Sequence, residues 1–256
     1  MHDRTLRATL GGALLLLSLA APALRAQGIS ITPQQDAAES ALISTPIGAL
    51  PPLMTPTIAG MSATSPSFGI RYGRRTVYGT SGAENNYGIS TTLPMSTGAS
   101  VTLTAGAGDL YCPNSSCNRY LQLALGGDFK LGEMPMGTGS KLLYAVNGEV
   151  GYGRPGALGQ TDQAISLSAG VPISLVLGSG SDMKIVPWLT PGFGVGSYKQ
   201  DTRFSGTSNN GQLFLLGGGL GLSNATSSFS ASLGFQRVFI SGGQTMYGIS
   251  VTIGGH

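Results

Sequence analysis

Histidine and cysteine are nearly absent from this chain: each occurs twice in 256 residues. His2 lies at the extreme N-terminus and His256 is the last residue. No Ser-His-Asp or Asp-His arrangement can be built around an imidazole so poorly anchored. Two thiolates without histidine or carboxylate company make a poor metal site. No metal and no cofactor is therefore expected. Charge is scarce as well, at 10% Asp, Glu, Lys and Arg, whereas a soluble exterior wants about 25–35% of such residues. No basic run carries interleaved aromatics, which argues against a nucleic-acid partner. Long apolar runs are missing beyond the N-terminus, so no helical membrane span is expected in the mature chain.

What is present begins with an export pattern. Arg4 and Arg7 form a positive start, Leu10 to Ala21 is an apolar run too short to span a bilayer, and Ala-Pro-Ala at 21–23 and Leu-Arg-Ala at 24–26 supply small residues for cleavage. Residues 1–26 are thus read as a signal peptide, cut after Ala26. The formal charge of +3 is misleading. Discounting Asp3, Arg4, Arg7 and Arg25 leaves 11 basic and 10 acidic side chains, a net of +1.

Residues 27–66 carry Pro33, Pro46, Pro51, Pro52, Pro56 and Pro66 among Ser, Thr, Ala and Gln. Prolines break ladders and helices alike. Residues 36–43 could form one or two helical turns. Two readings stand: a disordered periplasmic tail, or a segment that folds into the C-terminal part of the chain and plugs it.

From residue 67 onward the pattern has a period of two. In 141–152, Leu142, Tyr144, Val146, Val150 and Tyr152 alternate with Leu143, Ala145, Asn147, Glu149 and Gly151. Leu121, Leu123, Leu125, Phe129 and Leu131 alternate with Gln122, Ala124, Gly126, Asp128 and Lys130. Successive strand side chains face opposite sides of a sheet. Strands are predicted at 67–78, 86–95, 99–109, 118–131, 140–153, 162–177, 182–198, 211–222, 226–240 and 244–254. Turn-like joins alternate with longer connections. One face is small and polar, the other large and apolar. Volume favours the small face inside, and the scarcity of charge puts lipid outside. The fold class is therefore an all-β, ten-stranded antiparallel transmembrane β-barrel over 67–256, with eight strands as the runner-up.

Val186-Pro187-Trp188-Leu189-Thr190-Pro191-Gly192-Phe193-Gly194-Val195-Gly196 resembles the Pro-aromatic strand with spaced glycines found in small monomeric bacterial outer-membrane β-barrel proteins. That resemblance covers about 67–254. It implies the bacterial outer membrane, a monomer, lipid neighbours and insertion by the barrel assembly machinery. Such barrels usually end on an aromatic residue; this chain ends Ile253-Gly254-Gly255-His256. Enzymes within the family lean on histidine as base, and this chain offers histidine only at positions 2 and 256, so no enzyme is expected. The expected role is structural or surface-interacting. A narrow passive channel for small solutes, anionic ones among them, is the alternative. A secreted soluble barrel that binds a ligand comes third.

Three sets of residues stand out. Cys112 and Cys117 flank Pro113-Asn114-Ser115-Ser116 and are expected to close a loop disulfide in an oxidising periplasm. Arg71, Arg75, Asp128, Lys130, Glu149 and Lys184 point inward, either as ion pairs that fill the lumen or as a pore lining. Asp128 and Glu149 are read there as partners for cations rather than as a catalytic pair. Arg74, Arg119, Arg154, Lys199 and Arg237 point outward at one end of five strands. They suit snorkelling or a belt for anionic outer-leaflet lipid. Trp188 faces inward unless Pro187 and Pro191 introduce a bulge. Gly217-Gly218-Gly219-Leu220-Gly221 is no phosphate loop, because no Lys-Ser/Thr comes after it.

Overall fold

The computed structural model describes residues 39–50, 65–76, 83–109, 119–155, 162–201, 208–224, 226, 228–238 and 245–254. The predicted signal peptide, Cys112, Cys117 and His256 lie outside them.

The strands are β1 (Ser67–Thr76), β2 (Ala83–Ser96), β3 (Ala99–Asp109), β4 (Tyr120–Pro135), β5 (Ser140–Gly153), β6 (Gln163–Gly170), β7 (Ile173–Leu177), β8 (Met183–Lys199), β9 (Ser208–Asn224), β10 (Phe229–Val238) and β11 (Thr245–Gly254). All pairings are antiparallel between chain neighbours, and β1 closes on β11. Segments β6 and β7 are two halves of one strand. Both pair β5 on one side and β8 on the other, and the register continues across them without slip. The break falls at Val171-Pro172, where proline has no N–H to give the ladder. Instead Ala145 N–H donates to Pro172 O at 3.0 Å and Val171 N–H donates to Pro191 O at 2.9 Å. The barrel therefore has ten strands, and the eight-strand alternative is excluded.

Alternation sets the two faces. Thr91, Leu103, Leu125, Val150, Leu167 and Val195 are successive register partners on the outward side. Apart from the threonine, they form an apolar row crossing five strands. Phe68 at 66%, Ile89 at 64% and Leu233 at 63% exposure belong to the same face. Large apolar side chains exposed all round a closed sheet fit a hydrocarbon surrounding and no aqueous one. Inward lie Ser67, Arg71, Ser90, Thr104, Gln122, Ser166, Ser230 and Ser250, all buried.

Two boundaries depart from the sequence pattern. β2 begins early enough to include Glu84. β4 runs on to Pro135, with a bulge between Lys130 and Gly132. The extra residue resets the alternation and brings Glu133 opposite Leu143, onto the inner face. The joins at 97–98, 136–139 and 178–182 are tight. Gly98 (φ +88), Gly137 (φ +112), Gly139 (φ +75) and Gly178 (φ +76) take backbone conformations that L side chains resist.

One further element is not a strand. Residues 39–43 are helical, and α1 (Pro46–Ala49) comes next with Thr45 before it. Proline suits the first helical position, where its missing N–H is no loss. Leu42, Thr45, Ile47, Ala49 and Leu50 are buried, against inward-facing residues of the barrel.

Candidate functional site

The barrel interior holds three polar groupings, stacked along its axis. Nearest the ends of β1, β2 and β4 that lead to the longer connections, the Arg75 guanidinium donates to the Glu84 carboxylate. Beside them Gln122 Nε2 donates to Asn86 Oδ1 at 3.1 Å and to Tyr120 Oη at 3.2 Å. Gln122 and Asn86 are completely or almost completely buried. At the same end Tyr198 Oη donates to Asp162 Oδ2 at 2.6 Å, and Asp201 N–H donates to Asp162 Oδ1 at 2.8 Å. Low dielectric makes such well-partnered groups rigid.

Below these lies a cavity of about 110 Å³. Its polar wall is Arg71, Asp128, Asn147, Glu149, Trp188 and Gln236, and Pro46, Ile47 and Leu50 line its other side. Strand register explains the assembly. Gly126 pairs Glu149 and Asp128 pairs Asn147, so the two carboxylates sit on adjacent strands and the same face. Ser100 Oγ donates to Asp128 Oδ1 at 2.6 Å. Arg71 donates to Thr104 Oγ1. Glu149 Oε1 and Trp188 Nε1 are buried without a hydrogen-bond partner among the described residues. Trp188 is 6% exposed and faces inward, so Pro187 and Pro191 leave its parity intact. A Cβ on Gly234 would stand 3.2 Å from the indole, so glycine makes the floor on which the ring lies.

At the opposite mouth Lys130 Nζ and Lys141 Nζ reach Glu133 Oε2 at 2.6 and 3.0 Å. Lys184 lies at that end too, pairing Ser223 in register.

The six inward charges thus do not form one lining. Arg71, Asp128 and Glu149 share the cavity. Arg75 is committed to Glu84, while Lys130 and Lys184 lie toward the short-turn mouth. Of the outward cations, Arg74, Arg119, Arg154 and Lys199 are exposed and Arg237 is half-buried. Arg119 Nε meets Asp109 Oδ1 at 2.9 Å, and Arg237 Nη1 donates to Thr245 Oγ1 at 3.4 Å. Gly217 to Gly221 lie inside β9, paired to both neighbours. Sequence reasoning missed Glu84, Tyr120, Asp162, Tyr198 and Gln236. Glu84 falls in a predicted connection, and the remaining four are ordinary inward positions, whose parity gives a direction and no partner.

No protein-family model and no curated protein matches the chain. Solved structures of outer-membrane β-barrel proteins do show likeness. The outer membrane enzyme PagL shares 19% identity over 53% of this chain and 91% of its own, with a TM-score of 0.34. LpxR from Salmonella typhimurium shares 8% over 73% of this chain and 99% of its own, at 0.38. Ail, the attachment invasion locus protein of Yersinia pestis, shares 12% over 75% and 99%, at 0.27.

The expected non-enzymatic role is corrected here. An outer membrane enzyme stands among the similar barrels. The histidine argument also fails physically, because a carboxylate pair can serve as general acid and base. Asp128 and Glu149 line one cavity together with Arg71. The chain is a closed ten-stranded antiparallel barrel with a large apolar outer face.

Proposed function

We propose that the barrel binds a small polar solute in its lumenal cavity and that Asp128 and Glu149 can act on it as an acid–base pair. The observation that carries this is the make-up of the cavity wall. It combines donors, Arg71 and Trp188 Nε1, with acceptors, Asp128 and Glu149. Such a wall suits a molecule with an anionic or carbonyl group at one end and an ammonium or hydroxyl group at the other.

Size supports the reading. A single water needs roughly 10–15 Å³ of such space, and an apolar cavity of about 150 Å³ takes benzene. The cavity at about 110 Å³ lies between them, which suits a solute of amino-acid size.

Native mass spectrometry of the detergent-purified barrel tests this, with calorimetric titration of glycine and serine beside it. Retained solute or measurable heat in the unaltered protein, lost in Glu149→Gln and in Asp128→Asn, is expected. Identical spectra and no heat in all three would remove the reading.

The setting in which this site works rests on the export pattern at 1–26, on an outer-membrane location with the longer connections outward, and on a Cys112–Cys117 loop disulfide. Thiols at Cys112 and Cys117 that alkylate in freshly purified, unreduced protein would dispose of the disulfide.

A further inference from the structure

We infer that residues 39–50 are a fitted strap, seated in the lumen by a cradle of inward glycines and closing the barrel above the cavity. This stands apart from the solute reading, because it rests on packing alone.

The cradle spans four strands. A Cβ added to Gly153 of β5 would stand 1.9 Å from Ser44 O. On Gly151 it would meet Thr45 Cβ at 2.9 Å, and on Gly88 of β2 it would meet Leu50 Cδ1 at 2.5 Å. On Gly194 of β8 it would reach Leu42 Cδ2 at 3.3 Å, and on Gly106 of β3 it would reach Leu50 Cδ1 at 3.4 Å. At Gly153 and Gly88 the nearest obstacle is the strap itself rather than the barrel wall. Glycine within a strand is destabilising relative to alanine. Clustering it where a second segment must pass gives that expense a reason.

A second observation points the same way. The barrel interior is mostly polar, yet Leu213, Leu215 and Val238 point inward and are buried. They form one apolar cluster with Leu42 and Ile47 of the strap. Without the strap these three side chains would face a wet lumen. Polar tethers complete the seat. Thr45 Oγ1 and Ser166 Oγ are 2.6 Å apart, and Gln236 Nε2 donates to Ile47 O at 2.7 Å.

The strap lies toward the ends of β5 and β8 that lead to the longer connections, level with Gly153 and Gly194, whereas β1 starts from the opposite mouth at Ser67. The sixteen residues 51–66 join the two. Fully extended they reach about 53 Å, more than the height of such a barrel.

Cysteine chemistry tests the strap, in a background where Cys112→Ser and Cys117→Ser remove the native thiols. Thr45→Cys with Ser166→Cys should form an internal disulfide on mild oxidation of the folded barrel. Two alkylatable thiols after oxidation would overturn the seat. A lone Leu42→Cys should react with a water-soluble maleimide at least about tenfold more slowly in the folded barrel than in urea, as expected for a group released only by local opening. Equal rates would overturn the strap even if no glycine variant folds. Gly153→Val should release that protection while heat-modifiable gel mobility still reports a folded barrel. Protection unchanged in folded Gly153→Val would overturn the cradle.

Discussion

Arg75 and Glu84 face each other inside the barrel, both under a tenth exposed. The register pairs them directly between β1 and β2. Removing one partner of a buried ion pair leaves the other desolvated and uncompensated, at a cost of about 3–5 kcal/mol. Glu84→Gln should therefore lower stability by that order in urea unfolding from detergent micelles. Replacing both residues by similarly sized apolar ones should cost clearly less. Trp188 acts through packing rather than charge. Its indole lies over Gly234 of β10, where an added Cβ would stand 3.2 Å from the ring. Trp188→Ala should destabilise the barrel by about 3–5 kcal/mol, with Trp188→Phe costing clearly less.

At the scale of elements, the outward face behaves as one apolar band. Leu125 sits within it, paired to Leu103 on one side and Val150 on the other. Leu125→Arg should cost about 2–4 kcal/mol if that position lies near the bilayer midplane. The same change at Met136, in the turn beyond β4, should cost about 1 kcal/mol or less. Refolding into vesicles and titration with urea would measure both. The bulge at Leu131 is the second device at this scale. It turns Glu133 toward Lys130 and Lys141. These groups are part-exposed, and such surface pairs contribute about 0–1 kcal/mol. Glu133→Gln should accordingly leave stability nearly unchanged, which separates it sharply from Glu84→Gln.

At the scale of the whole molecule, closure decides what the barrel can be. Ten strands close without an edge, so every backbone ladder group in the sheet can find a partner away from water. Tight turns occupy one end, at 97–98, 136–139 and 178–182. With that end in the periplasm, an epitope inserted at 178–181 should be hidden from antibody on intact cells. One inserted at 204–206 should be reached. Labelling of the first but not the second would invert the orientation and would place the strap at the periplasmic mouth.

The sequence by itself determined the class of fold and which way most side chains point. Period-two alternation is a local property, and a strand cannot evade it. Small residues on one face and large apolar ones on the other then fix inside and outside, as Gln122 and Leu121 illustrate. Arg71, Asp128 and Glu149 were legible as inward for the same reason. Parity gives a direction, however, and not a partner. That Asp128 and Glu149 share a cavity with Arg71, while Lys130 lies at the mouth, is a consequence of register and shear across the closed sheet. The bulge that reverses Glu133 depends on one unpaired residue, invisible to a count of alternation. Gly88, Gly106, Gly151, Gly153 and Gly194 looked like the ordinary small residues of a crowded lumen. Only the tertiary structure set residues 42–50 against them, because that contact joins segments far apart in the chain and carries no local signature.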